Sequence, residues 1–249
     1  MLPAFSSTQW ALALVAALGI GLSKSGLPGI SLLHVVLFAQ LFPGLASTGV
    51  VLPMLVAGDL GAVWLFRRHA RWPHVWRTLP PAVAGVVAGW WFMGRLPAAR
   101  FGPVIGGIVL VLAVLQIARD VRPGWFERVP HSPAFAIAIG FAAGVTTMLA
   151  NAAGPVMALY LLAVALPKNE FVGTGAWFFL LINLLKIPFS AQLGLITRDT
   201  LLFNLVLVPV ILAGLLAGRR VVARLPQKAF DLLVLAFAVV AALKLLSPS

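Results

Sequence analysis

The chain contains no cysteine, which excludes disulfides, thiolate metal sites and a cysteine nucleophile. Acidic side chains are also scarce: six Asp and Glu among 249 residues, against 18 Lys and Arg, for a formal net charge of +12. Charged residues of both signs make up only 10% of the sequence, far below the quarter or so of an ordinary soluble domain. No Gly-x-x-x-x-Gly-Lys-Ser/Thr phosphate loop occurs and there is no sizeable soluble stretch, so this chain alone is not an ATP-driven pump.

What fills the sequence is apolar: 61% of residues, with a mean hydropathy of +1.05. The runs are long and do not alternate as barrel strands would. They approach the ~20 residues that carry a helix across a ~30 Å hydrocarbon core. The chain therefore reads as an all-α integral membrane protein, with the lipid bilayer as its partner. The basic residues lie mainly in short loops between apolar runs, where they report orientation rather than nucleic-acid binding. The first apolar run has no basic residue before it, so it is kept as structure rather than removed as a signal.

Clear spans fall at roughly 44–66, 78–94, 101–118, 171–191, 199–217 and 229–246. Two longer segments, 5–42 and 133–166, exceed one crossing, and each is broken near its middle, at Lys24-Ser25-Gly26-Leu27-Pro28-Gly29 and at Asn151-Ala152-Ala153-Gly154-Pro155. Proline removes a backbone donor and glycine loosens the helix, so both breaks are predicted to be non-helical. Arg95-Leu-Pro-Ala-Ala-Arg-Phe101 resembles Arg224-Leu-Pro-Gln-Lys-Ala-Phe230, and Ser47-Thr48-Gly49 resembles Gly173-Thr174-Gly175. Two repeats follow, 1–125 and 126–249, within one membrane domain, each a broken or re-entrant segment plus three spans.

Loop charge chooses between parallel and inverted repeats. If each broken segment enters and leaves on one side, loops 67–77, 119–132 and 219–228 together with Lys168 place 12 Lys and Arg on one face, against Arg95, Arg100 and Arg198 on the other. The positive-inside rule then favours inverted repeats, with 67–77 inside.

Irregular backbone at membrane depth is tolerated where protein buries it or where it lines a cavity. Half-helices starting near Pro28 and Pro155 present unpaired N–H groups and a partial positive charge to a common point, which suits an anion. Lys24 adds a full charge, and Ser23, Ser25, Thr146, Thr147 and Asn151 add hydrogen-bonding groups. Small polar residues at helix contacts also serve plain packing. Lys186 either reaches the interface or faces the cavity, and Asp59 holds nearly the same place in the first repeat, so either residue could pair with the other or carry a proton. His34 reads first as a packing histidine and second as a proton-coupling group. His69, His74 and His131 sit in basic loops and read as solvated.

Gly-Leu-Ser-Lys-Ser-Gly-Leu-Pro-Gly near the start, Asp59 before Phe66-Arg67-Arg68-His69, the Asn151-Ala-Ala-Gly-Pro break, Pro167-Lys-Asn-Glu-Phe-Val-Gly-Thr174 and Asn183-x-x-Lys186-x-Pro188 together resemble the sulfite exporter TauE/SafE family of permeases. The resemblance covers essentially the whole chain. It implies export of small sulfur-containing anions, sulfite or organosulfonates such as sulfoacetate, across a bacterial inner membrane. Where many members carry Gly-x-Gly-Gly-Gly, this chain has Ser23-Lys24-Ser25-Gly26. Breaks and shared elements together give the substrate-binding candidates Ser23, Lys24, Ser25, Gly26, Gly29, Thr146, Thr147, Asn151, Gly154, Thr174, Asn183 and Lys186, with His34 and Asp59 as coupling candidates.

No cofactor or metal is expected. The reading is a secondary transporter for a small anionic substrate, not an enzyme. An anion channel is the first alternative, separable by whether flux saturates. An intramembrane hydrolase is the second, and for it only His34 and Asp59 offer ionisable groups of the required kind within the spans. The anion, the direction, the coupling ion and any homo-oligomer are left open by the sequence.

Overall fold

The computed structural model describes residues 3–27, 30–42, 45–97, 100–121 and 132–222. Every regular element among them is helical: α1 (Ser7–Lys24), α2 (Ser31–Leu41), α3 (Ala46–Phe66), α4 (Trp72–Met93), α5 (Phe101–Val121), α6 (Pro133–Ala150), α7 (Ala153–Ala163), α8 (Lys168–Gln192) and α9 (Arg198–Val222), with a 3-10 turn at Arg67–His69. Four of these stretches, Ala46–His69, Pro133–Ala150, Lys168–Gln192 and Arg198–Arg220, are long and apolar enough to cross a membrane. Large apolar side chains such as Trp64 at 70% and Leu205 at 68% are exposed on the outer faces. That surface suits lipid, and the chain is a multi-pass membrane protein. Pro28, Gly29, the span at 229–246, the Arg224–Phe230 motif and His131 lie outside the described residues.

Both predicted breaks are present but shorter than expected, since Lys24 still belongs to α1 and Ala153, Gly154 and Pro155 already form the first turn of α7; each break turns through a left-handed residue. Gly26 has φ +106°, and a Cβ there would press on Val172 at 2.7 Å; glycine alone meets both demands. Asn151 has φ 54°, a conformation asparagine tolerates, and its N–H returns to Thr147 O at 3.0 Å as the helix closes.

The first broken segment starts and ends in one place. Phe5, before α1, lies 5.5 Å ring to ring from Phe42, after α2, and both pack on Phe203. Similarly, Phe135 in the first turn of α6 lies 6.1 Å from Tyr160 near the end of α7. At 1.5 Å per residue α2 and α7 reach only about 16 Å each, about half the hydrocarbon thickness. The two segments are hairpins that open at opposite ends of the bundle.

Helix directions follow from glycine contacts. A Cβ on Gly21 would collide with Ile211 O and one on Gly214 with Leu18 O, while Gly218 abuts Ser25, so α1 and α9 run parallel in close contact. Gly140 and Gly144 of α6 meet Thr78 O and Ala82 O of α4, and Gly89 meets Met148, so α4 and α6 are likewise parallel. Small residues let backbones approach where lipid offers no hydrophobic drive between helices. Gly49 of α3 touches Leu195 past the end of α8, and Gly173 of α8 touches Phe66 and His69 at the end of α3, so α3 and α8 are antiparallel. One apolar cluster joins α2, α4, α5, α6, α7 and α8 around Phe101, Ala143, Met157 and Phe178, and a second joins α1, α2, α3 and α9 around Phe38, Met54 and Phe203.

Arg67, Arg68, Arg71 and Lys168 lie at one end of this bundle; the turns at 94–97 and 193–197 meet at the other, where Gly94 faces Leu193. His74 departs from expectation: it lies in the first turn of α4, half-buried, with Nδ1 2.9 Å from the Tyr160 hydroxyl. The helix begins six residues before the expected span because Trp-Pro-His-Val-Trp-Arg is too polar for hydropathy to register, although Pro73 suits a helix start.

Candidate functional site

The two breaks and the middle of α3 and α8 converge on one buried polar network. Lys24, the last residue of α1, forms an ion pair with Asp59 Oδ1 at 2.6 Å, and its ammonium sits 4.7 Å from the centre of the Phe179 ring. Gly58 makes room for it, since a Cβ there would press on the Lys24 stem at 3.3 Å. Asp59, fully buried, also accepts from Asn183 Nδ2 at 2.7 Å.

Asn183 passes the network on. Lys186, one turn later on α8, donates to Asn151 Oδ1 at 2.6 Å, Thr147 O at 2.8 Å and Thr147 Oγ1 at 3.0 Å, with a longer 3.4 Å approach to Asn183 Oδ1. Asn151 Nδ2 then donates to Thr48 O at 2.9 Å. With one side chain Asn151 joins the second break, the start of α3 and the middle of α8. Lys186 is 1% exposed, which removes the interface-anchor reading. Its partners are neutral oxygens, and Asp59 pairs with Lys24 instead.

In their ordinary ionised states the two lysines carry one charge more than the single carboxylate beside them. A buried charge needs a counter-charge or dense hydrogen bonding. Lys24 has the first and Lys186 the second; with all three groups ionised the network would carry one net positive charge, which a small anion would balance.

Beside the network lies a cavity of about 60 Å³. A water needs roughly 10–15 Å³ by this kind of measure, so the space suits a solute of a few heavy atoms. Ser23, Lys24 and Gly26 border it from the first break, Thr147, Asn151 and Gly154 from the second, and Asn183 from α8. Ser31 and Ala153, the first residues of α2 and α7, border it too, so both half-helix N-termini abut one space, and no side chain caps either. His34 also lines it, 1% exposed, with neither ring nitrogen hydrogen-bonded.

Other candidates stand elsewhere. Ser25 Oγ donates to Leu22 O and Thr146 Oγ1 to Ala142 O, both within their own helices and off the cavity wall. Thr174 lies under the α3–α4 connection and accepts from Arg71 N at 2.9 Å. Asp59 and Lys186 act from behind the wall, and Gly29 lies outside the described residues. Ser31, Phe171, Val172 and Phe179 border the cavity without having been singled out in the sequence. The pattern that marks them is only that they follow a break or face one. Among the described residues no three His, Asp or Glu side chains come together to hold a metal ion.

A family model described as Sulfite exporter TauE/SafE matches residues 12–245. No curated protein matches the chain.

Proposed function

The chain belongs to the sulfite exporter TauE/SafE family, a family of transporters, and from that premise we propose that it is a secondary carrier for a small sulfur oxyanion, sulfite or an organosulfonate such as sulfoacetate, in a bacterial inner membrane. The observation that carries this reading is the pair of lysines, Lys24 and Lys186, set with a single carboxylate, Asp59, beside a cavity flanked by two half-helix N-termini. An anion entering there gains charge-assisted hydrogen bonds and supplies the missing counter-charge. The cavity's small size argues for sulfite before longer sulfonates.

The repeats are inverted on this reading, 1–125 against 126–249, and meet around the site. Support comes from the direction of α3 against α8, from the matched pairs α1 with α9 and α4 with α6, and from two hairpins that enter from opposite ends. Residues 67–77 and Lys168 then face the cytoplasm by the positive-inside rule. Substrates at the midplane between discontinuous helices are the usual arrangement of such carriers.

The experiment is thermal stabilisation of the purified protein by sulfite, thiosulfate, sulfoacetate, taurine and sulfate, followed by uptake into proteoliposomes. A ligand at 100 times its Kd adds about 2.7 kcal/mol of stability. Stabilisation by sulfite or sulfoacetate with saturable uptake is expected. Flux that rises linearly with concentration would favour a channel.

A further inference from the structure

A second cavity lies on the other side of Asn151. It measures about 10 Å³, room for a single water, and Val35, Ser47, Thr48, Val51 and Asn151 border it. Its walls repeat those of the main cavity. Ser47, Thr48 and Val51 stand two before, one before and two after Gly49; Phe171, Val172 and Gly175, which border the main cavity, stand likewise around Gly173. Val35 is the fifth residue of α2, and Met157, on the main cavity, is the fifth of α7. The equivalence of Gly49 and Gly173 is structural and shifts by two residues the sequence register that pairs Gly49 with Gly175, since each packs against the far end of the other's helix.

We infer that this small cavity is the second station of the anion's path, the collapsed counterpart of the main cavity, and that the Asn151 Nδ2 to Thr48 O hydrogen bond is the barrier between the two. The inference rests on the transporter reading above and assigns its route. The main cavity reaches from Asn183, mid-helix, to Phe171 near the α8 N-terminus, on the end of the bundle that holds Arg71 and Glu170. The small one lies at the start of α3, on the end where Gly49 meets Leu195. In this conformation the wide space serves one end and the narrow space the other. Transport exchanges their sizes: the anion displaces Asn151 from Thr48, the start of α3 separates from the tip of α6, and the space between α7 and the start of α8 narrows. Asn151 borders the main cavity while Lys186 holds its oxygen from behind the wall at 2.6 Å, so an anion that accepts from Asn151 Nδ2 takes the donor that Thr48 O now holds and loosens the barrier by the same contact that binds it.

The absence of cysteine allows a direct test. Ser47→Cys, with Val51→Cys on the same wall as a second variant, is exposed to impermeant 2-sulfonatoethyl methanethiosulfonate in right-side-out and inside-out vesicles without substrate. Excess reagent is removed, and sulfite uptake is then measured. Labelling is expected from the end of Arg95 and Arg198 only, slowly, and at least tenfold faster when Asn151→Ala is added; complete labelling should cut sulfite uptake at least tenfold. Labelling from the Arg71 end, no acceleration by Asn151→Ala, or undiminished uptake after complete labelling would overturn the route. If the sidedness and the acceleration hold while unlabelled vesicles carry no sulfite, the path stands and the sulfite assignment falls.

Discussion

Asp59 accepts a hydrogen bond from Asn183 at 2.7 Å, and each of the two stands ten residues past a glycine, Gly49 or Gly173, that packs on the far end of the other's helix. On the inverted-repeat reading they are equivalent positions in contact with each other, and one half of the chain contributes a charge while the other contributes an amide. A symmetric framework thus carries an asymmetric pair at its centre, and the second lysine, one turn beyond Asn183, adds to the imbalance.

Removing Lys24 tests its direct contact with the anion, because Lys24→Ala combined with Asp59→Asn keeps the net charge of the network. Lys24→Ala leaves Asp59 buried without its counter-ion, a loss of about 3–5 kcal/mol for breaking a buried pair; Lys24→Ala with Asp59→Asn should recover most of that stability. Sulfite affinity should fall at least about tenfold, ~1.4 kcal/mol, in both. Melting temperature and isothermal titration separate the two effects, and tight binding by the well-folded double variant would remove Lys24 from the site.

Asn151→Asp places a carboxylate 2.6 Å from where Lys186 donates. The new carboxylate would neutralise Lys186 but can no longer donate to Thr48 O, so the variant should bind sulfite more than tenfold more weakly, and its melting temperature reads the gained ion pair against the lost hydrogen bond. Parental affinity measured by titration would show that the surplus charge does not hold the anion.

Lys186→Met removes donors from Asn151, Thr147 and Asn183 at once. Buried acceptors left unsatisfied cost about 1–3 kcal/mol each at most. Uptake into proteoliposomes should fall at least tenfold even where the protein is monodisperse. Normal uptake would reduce Lys186 to a packing element.

Gly144→Ala pushes a methyl into Ala82 O, where two backbones touch, whereas a Cβ on Gly107 meets nothing within 4 Å. Overpacking of this kind costs about 1–3 kcal/mol. Gly107→Ala should be neutral or stabilise α5 by up to about 1 kcal/mol, as alanine is the better helix former. Thermal melts of both in one detergent provide the comparison.

At the end of the bundle Arg71 hydrogen-bonds Glu170 and holds its carboxyl below the ordinary value of 4.5. A depressed carboxylate contributes stability above that ordinary value and loses it as pH falls through the lowered one. Glu170→Gln should therefore melt slightly below the parent at pH 7, and the gap should close in strongly acid solution. An equal gap at every pH would mean that the ion pair contributes nothing.

The hydropathy of the chain shows the spans, and Pro and Gly show the breaks, because both signals are local. Which lysine meets Asp59 is not local: Lys24 and Lys186 are both a long way from it in sequence, and the rotation of α1 about its axis, set by Gly21 on α9, decides the matter. His74 was hidden by the polar first turn of α4, and the environment of His34 depends on what faces it across a cavity. Ser25 and Thr146 illustrate the opposite failure: their polarity is spent on carbonyls of their own helices.

The two left-handed residues that turn the breaks are not alike. Gly26 has no side chain, while Asn151 has one that reaches Thr48 and Lys186. On the proposed carrier reading, a latch present in one half and missing from the other gives the two orientations of the empty protein unequal energies. Such an inequality cannot choose the net direction of flow, which the concentration gradient decides. What it does set is where the unloaded protein waits, and so the apparent affinity met by an anion arriving from each side, because binding to the less populated orientation is weakened by the fraction of molecules that adopt it.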